Sequence, residues 1–194
     1  MKSILTIVII LTFSFQDLLF SQNKLQHSLS GQIGGGIGLL NFSNTHLAMN
    51  LYSSIDYSIG NNVIEFAFVK SYEFAPISKS VELLTSFQMK YGRTYFFKMK
   101  GLFLPIIILP YLDLDREFNY SLTGKIGFSY NEGLFETGSY DSITENKFGF
   151  GIPVELELRE EITNYFGLGF LAYYNLNKVR NTWGLNTFIF IALK

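Results

Sequence analysis

The chain has 194 residues, a formal net charge of -1, no cysteine, 17% aromatic residues and 16% charged ones, well under the roughly 25% charge of ordinary soluble domains. That length allows one domain, and the lack of cysteine excludes a disulfide framework, a thiolate metal site and an acylated lipoprotein anchor. Fifteen Lys and Arg balance sixteen Asp and Glu with no basic run, which excludes a nucleic-acid partner.

Met1 and Lys2 precede the apolar stretch from Ile4 to Phe15, the layout of a secretory signal peptide and too short for a membrane-spanning helix. Cleavage is expected after Ser21, so that 1–21 is the signal peptide and 22–194 the folded domain.

Beyond it, apolar residues recur with period two, the signature of strands with one greasy face. A first, thin strand over 28–39 sets Leu29, Ile33 and Ile37 against Ser28, Ser30, Gln32, Gly34 and Gly36. A second, over 46–59, sets Leu47, Met49, Leu51, Ile55 and Tyr57 against His46, Ala48, Asn50, Tyr52, Ser54, Asp56 and Ser58. A third, over 63–74, opposes Ile64, Phe66, Phe68, Tyr72 and Phe74 to Glu65, Ala67, Ser71 and Glu73. The fourth covers 81–97: a two-residue hairpin at Gly92-Arg93 would invert the parity, yet Phe87, Met89, Tyr91, Tyr95 and Phe97 keep one phase. One strand therefore runs through, with Arg93 on the apolar side near a membrane interface.

Residues 101–117 hold a Pro-containing apolar stretch, Gly101 to Leu112, expected to form either an extra hairpin or an apolar flap. Strands then follow over 118–131, 147–159, 164–176 and 181–193. The sixth alternates most cleanly, with Phe148, Phe150, Ile152, Val154, Leu156 and Leu158 opposite Gly149, Gly151, Pro153, Glu155, Glu157 and Arg159. In the last two the second face is less polar, carrying Leu171, Tyr173, Phe188 and Phe190. The fold class expected is all-β, an antiparallel up-and-down transmembrane barrel of eight strands, or ten if 101–117 adds a hairpin. With both ends on one side, Gly60-Asn61-Asn62 and 160–163 become short inner turns, and 131–146 an acidic outer loop suited to an extracellular ligand.

Alternation alone fits a soluble lipocalin-like barrel holding an apolar ligand as well as a membrane barrel. The polar face distinguishes them: it is rich in Gly, Ser, Thr and Asn with few charges, whereas a water-facing exterior carries abundant Lys and Glu. Glu65, Glu82, Lys90, Lys125, Glu155, Glu157 and Arg159 are placed inside, pairing across a filled lumen. Tyr57, Tyr72, Tyr91, Tyr95, Tyr120, Tyr130, Tyr174 and Trp183 lie on the apolar parity, many near strand ends, where amphipathic rings settle at bilayer interfaces.

With this leader, this strand series and the closing strand Trp183 to Lys194, residues 28–194 resemble the small outer-membrane β-barrel proteins, among them OmpX-like and OmpA-like transmembrane domains. The closing strand ends in Lys194 where that family usually carries an aromatic residue. The resemblance implies insertion by the outer-membrane assembly machinery, contact with outer-membrane lipid and lipopolysaccharide, and a structural, adhesive or binding role.

Motifs for chemistry are sparse. Gly31 to Gly38 is glycine-rich, but no Lys-Ser or Lys-Thr follows and no helix begins, so a curved strand is the reading rather than a phosphate loop. His27 and His46 are the only histidines and lack metal spacing. A lipid-modifying enzyme would need His46 with Ser43 and a carboxylate at the outer rim, and nothing else in the pattern specifies that set. No residue is assigned as catalytic, cofactor-binding or metal-ligating, no cofactor is implied, and the protein is read as non-enzymatic.

Overall fold

A computed structural model describes residues 27–40, 46–73, 81–100, 117–137 and 143–193. These form eight strands: β1 (His27–Leu40), β2 (His46–Ile59), β3 (Asn62–Glu73), β4 (Val81–Lys100), β5 (Glu117–Thr137), β6 (Ile143–Glu161), β7 (Phe166–Asn177) and β8 (Thr182–Leu193). Each pairs antiparallel with its chain neighbour and β8 returns to β1, closing the barrel. Closure removes the free sheet edges that would otherwise invite aggregation.

The period-two pattern fixes which face turns outward. In β2, Leu47, Met49, Leu51, Ile55 and Tyr57 are exposed while Ala48, Asn50, Tyr52, Ser54 and Asp56 are buried, and Ile64, Phe66 and Tyr72 of β3 continue the outer band. Phe128 and Phe150 reach 78% and 76% exposure. A lipocalin-like interior is thereby excluded, because the apolar face is on the outside. β4 runs unbroken through Gly92 and Arg93, which pair with Val63 and Asn62, as the uninterrupted phase requires.

Two connections are tight. Ile59 pairs with Asn62 across Gly60-Asn61, and Gly60 takes φ 58°, a conformation in which a Cβ is disfavoured. Between β6 and β7 the turn occupies 162–165, two residues later than the expected 160–163, because Thr163 caps it: its Oγ1 accepts from the amides of Tyr165 at 3.3 Å and Phe166 at 3.0 Å.

Glycine matters where β1 meets β8. A Cβ on Gly36 would fall on the carbonyl oxygen of Leu185 and within 2.6 Å of Asn186 Cα, whereas one on Gly31 meets nothing within 4 Å. Gly36→Ala is expected to destabilise the refolded barrel by about 1–3 kcal/mol, since the obstructing atoms are backbone. Gly31→Ala should leave the urea midpoint nearly unchanged, and equal midpoints for the two variants would refute the close β1–β8 approach.

The acidic outer loop expected over 131–146 is mostly strand. Asn131 pairs with Gly149, Glu132 with Phe148, and the ladder continues to Thr137 opposite Ile143, leaving only 138–142 outside the described residues. A ladder is held by backbone hydrogen bonds and continues where neither face is buried, so polar composition does not end it. β6 is in register with β7 only from Gly151 onward, with the Lys178 amide donating to the Phe150 carbonyl at 3.5 Å, so 143–148 form the free edge of a sheet in which β5 stays paired with β4 out to Glu136 opposite Val81. At the opposite end β4 outlasts β3, pairing with β5 alone from Tyr95 to Lys100 once the Thr94 amide has donated to the Asn61 carbonyl at 2.8 Å. The signal peptide, the stretch 101–116 with its hairpin or flap, and Lys194 lie outside the described residues.

Candidate functional site: a charged lumen inside an apolar band

Inward-facing residues of five strands bring seven ionisable groups together in the lumen. Asp56 comes from β2, Glu65 from β3, Lys90 from β4, Lys125 from β5, and Glu155, Glu157 and Arg159 from β6. The strand registers stack them: Asp56 lies opposite Glu65, Glu65 opposite Lys90, and Lys125 opposite Glu155. Asp56, Glu65 and Glu157 are 0% exposed.

Lys125 is the hub. Its Nζ contacts Glu65 and Glu157, reaches Glu155 Oε1 at 2.9 Å and lies 3.9 Å from Asp56 Oδ2. Lys90 bridges Glu65 and Glu155, with its ammonium 5.5 Å from the centre of the Tyr52 ring. Arg159 contacts Glu157 through Nε and Asp56 through Nη2, donates from Nη1 to Ser30 Oγ at 3.1 Å, and packs 5.2 Å from the Phe190 ring centre. Neutral donors finish the shell: Tyr52 donates to Glu65 Oε1 at 2.9 Å, Ser54 to Asp56 Oδ1 at 3.2 Å, and Gln32 to Asp56 and to Glu157 Oε2 at 3.4 Å. Four carboxylates thus face three cations, and each charge has an opposite partner, the condition for holding ions out of water.

Nearer the end opposite the termini, the lumen is plugged by amides. Asn175 donates to Asn131 Oδ1 at 2.8 Å and accepts from Ser129 at 2.9 Å, and Asn131 donates to Ser129 at 2.9 Å. On the β7–β8 side Tyr52, Leu171, Tyr173, Phe188 and Phe190 pack with Ala67 and Val69. Layered, buried side chains of this kind occupy the described lumen, in keeping with the narrow bore of an eight-stranded barrel.

Six of the seven charges expected inside are where the alternation placed them: Glu65, Lys90, Lys125, Glu155, Glu157 and Arg159. The side chain of Glu82 lies outside the described residues. Asp56 was legible as polar-face but carried no assigned partner; its ion pair with Arg159 joins residues 103 apart in the chain, which no local pattern reveals. Asp56, Glu65 and Glu157 place carboxylate oxygens within 4.8 Å of one another, but Lys125 and Arg159 already occupy those oxygens. The cluster is an ion-pair network in its own right.

His27 Nδ1 is 2.8 Å from Tyr57 Oη on the exterior. The side chain of His46, together with Ser43, lies outside the described residues.

No family model matches the sequence, and no curated protein matches it. Solved structures do. Neisserial surface protein A superposes with a TM-score of 0.56 at 11% identity, covering 87% of this chain and 99% of that one. Ail, the attachment invasion locus protein of Yersinia pestis, gives 0.56 at 9%, covering 87% and 100%. The N-terminal β-barrel domain of Pseudomonas aeruginosa OprF gives 0.54 at 12%, covering 88% and 100%. At such identities the likeness is one of architecture, and all three are small outer-membrane barrels. With its apolar band outside and its ions inside, the chain has the fold of the small eight-stranded outer-membrane β-barrel proteins.

Proposed function

We propose that the chain is an integral protein of the bacterial outer membrane, exported behind a leader cleaved near Ser21, that conducts no ions and binds or adheres through its β5–β6 projection. The carrying observation is the inversion of an ordinary soluble protein: Ile33, Leu51, Ile55, Phe66, Phe128 and Ile191 face outward while Asp56, Glu65, Lys90, Lys125 and Glu157 are buried. An apolar exterior is stable against lipid and unstable against water. Even strand number puts both termini on one side, read here as periplasmic, with the β5–β6 end outside.

The adhesive role gains support from the neighbours, since Ail is an attachment protein and was also solved with the heparin analogue sucrose octasulfate. In this chain the projecting ladder carries Glu132 and Glu145 against Lys147, so its charge suits a neutral or cationic surface rather than a sulfated sugar. The hydroxyls of Ser54 and Tyr52 donate to Asp56 and Glu65, carboxylates that Arg159, Lys90 and Lys125 already hold inside the lumen, and this supports a non-enzymatic reading.

Heat-modifiability on a denaturing gel, with carbonate extraction of isolated outer membranes, tests the first half. A mobility shift between unheated and boiled samples, together with retention in the carbonate pellet and no conductance steps in planar bilayers, is expected. Release by carbonate without a shift would sink the membrane reading. Replacing 133–146 by a two-residue turn should preserve the shift and abolish adhesion; persistent adhesion would remove the projection from that role.

A further inference from the structure

Arg93 places a cation on the outward wall of the barrel. Its neighbours in β4 face the lumen: a Cβ on Gly92 would meet Lys125 Cγ at 2.6 Å, and Thr94 Oγ1 lies 2.9 Å from Oγ1 of the buried Thr123. Alternation therefore turns Arg93 outward, between the exposed rings of Tyr91 and Tyr95 on the same column. Its height is set by the β2–β3 turn, since it pairs with Asn62, the first residue after Gly60-Asn61. That is the end of the barrel at which β1 begins, His27 being opposite Ile59.

Across the strands at this register, Asn62 of β3, Arg93 of β4, Gly124 of β5 and Leu156 of β6 stand side by side. Gly124 puts no side chain on the wall, and a Cβ there would meet nothing within 4 Å, so a slot opens beside the arginine. Leu156 bounds its far side, and Leu122 and Ile126, exposed on the outward column of β5, bound its two ends. On the other flank Tyr91 donates its hydroxyl to Asn62 Oδ1 at 2.8 Å, which leaves the Asn62 amide nitrogen as a second donor next to Arg93. The adjoining outward columns carry no carboxylate here, with Asn62, Ile64 and Phe66 on β3 and Leu122, Gly124 and Ile126 on β5. Among the described residues none forms an ion pair with Arg93.

We propose that this slot binds the phosphate of one anionic glycerophospholipid at the periplasmic end of the barrel. The planar guanidinium of Arg93 takes two phosphate oxygens, a geometry lysine does not offer, and Asn62 Nδ2 donates to a third. The glycerol and the upper acyl chain fill the gap over Gly124, against Leu156 and Ile126. A zwitterionic headgroup brings its own ammonium to its phosphate, so the site favours a lipid of net negative charge. The proposal rests on the reading of the apolar face as lipid-facing and of this end as periplasmic.

The full chain is given a local reporter by Trp183→Phe, which removes its single tryptophan, and Ile126→Trp, which places an indole at the core-side end of the slot, opposite Tyr91. It is reconstituted in vesicles of one composition, phosphatidylcholine with a minor share of phosphatidylglycerol. Brominated acyl chains are carried either by the phosphatidylglycerol or by an equal amount of the phosphatidylcholine. At low salt, bromine on phosphatidylglycerol is expected to quench the reporter as if that lipid were enriched about fivefold over its mole fraction, the preference one basic residue at an anionic interface confers. Arg93→Gln should make the two lipids equivalent. Gly124→Leu keeps the charge but fills the slot, and should likewise abolish the enrichment while the heat-modifiable band persists. Equal quenching by both lipids in the reporter protein, or a preference that survives either substitution, overturns the site and leaves the membrane reading intact. Absence of quenching by either lipid overturns the membrane reading as well.

Discussion

Lys125→Met is expected to lower the unfolding free energy of the barrel by about 3–5 kcal/mol, the usual loss when one partner of a buried ion pair is deleted. The ammonium touches Glu65, Glu155 and Glu157 and lies near Asp56, and a methionine has no charge to place among them. Four carboxylates would then face only Lys90 and Arg159. Urea titration of the refolded protein in lipid vesicles, followed by the folded band on an unheated gel, measures the loss. The pair Lys125→Met with Glu157→Gln should recover a large part of it, because the cluster's formal charge returns to its original value. A single variant that loses less than about 1 kcal/mol, the range of a water-exposed pair, would mean that water reaches the cluster and that the lumen is open.

Phe66→Arg is expected to destabilise the barrel in a bilayer by about 2–4 kcal/mol, against about 0–1 kcal/mol for Phe148→Arg. Both phenylalanines face outward and are similarly exposed, at 57% and 56%. Phe66 sits mid-strand in β3 opposite Ile55 and Met89, so an arginine there meets hydrocarbon on every side. Phe148 lies on the part of β6 that β7 does not reach, where a long side chain finds headgroups or water. The quantity that decides is the difference between the two, read from urea midpoints in vesicles of one composition. Equal effects would mean that no apolar slab surrounds Phe66, and the outward band would need another covering.

Much of the architecture was legible because strand side chains alternate, with a break at the start of β5, where Tyr120, expected on the outward face, is buried and its neighbour Ser121 is buried as well. Parity set Tyr57, Phe66, Phe128 and Phe150 on one face and Glu65, Lys125 and Glu157 on the other, and the scarcity of charge on the second face pointed it inward. The unbroken phase through Gly92 and Arg93 likewise identified β4 as one strand. Pattern reading fell short at 131–146: Glu132, Glu145 and Asn146 look like loop residues because neither face needs to be greasy, yet backbone pairing extends to Thr137 and Ile143. Pro153 shows the converse. It stands inside β6, where the ladder to β5 lapses between the Ile126–Val154 and Ser129–Gly151 pairs, since proline has no amide hydrogen to donate.

By itself the sequence determined the strand series and the residue types on each face, which follow from a period of two along a single chain, and the scarcity of charge on the polar face pointed that face inward. Only the tertiary structure decided which charges meet. Arg159 reaches Asp56, Lys125 reaches Glu65 and Gln32 reaches Glu157 because closure fixes the stagger between strands and hence the height of each side chain in the lumen.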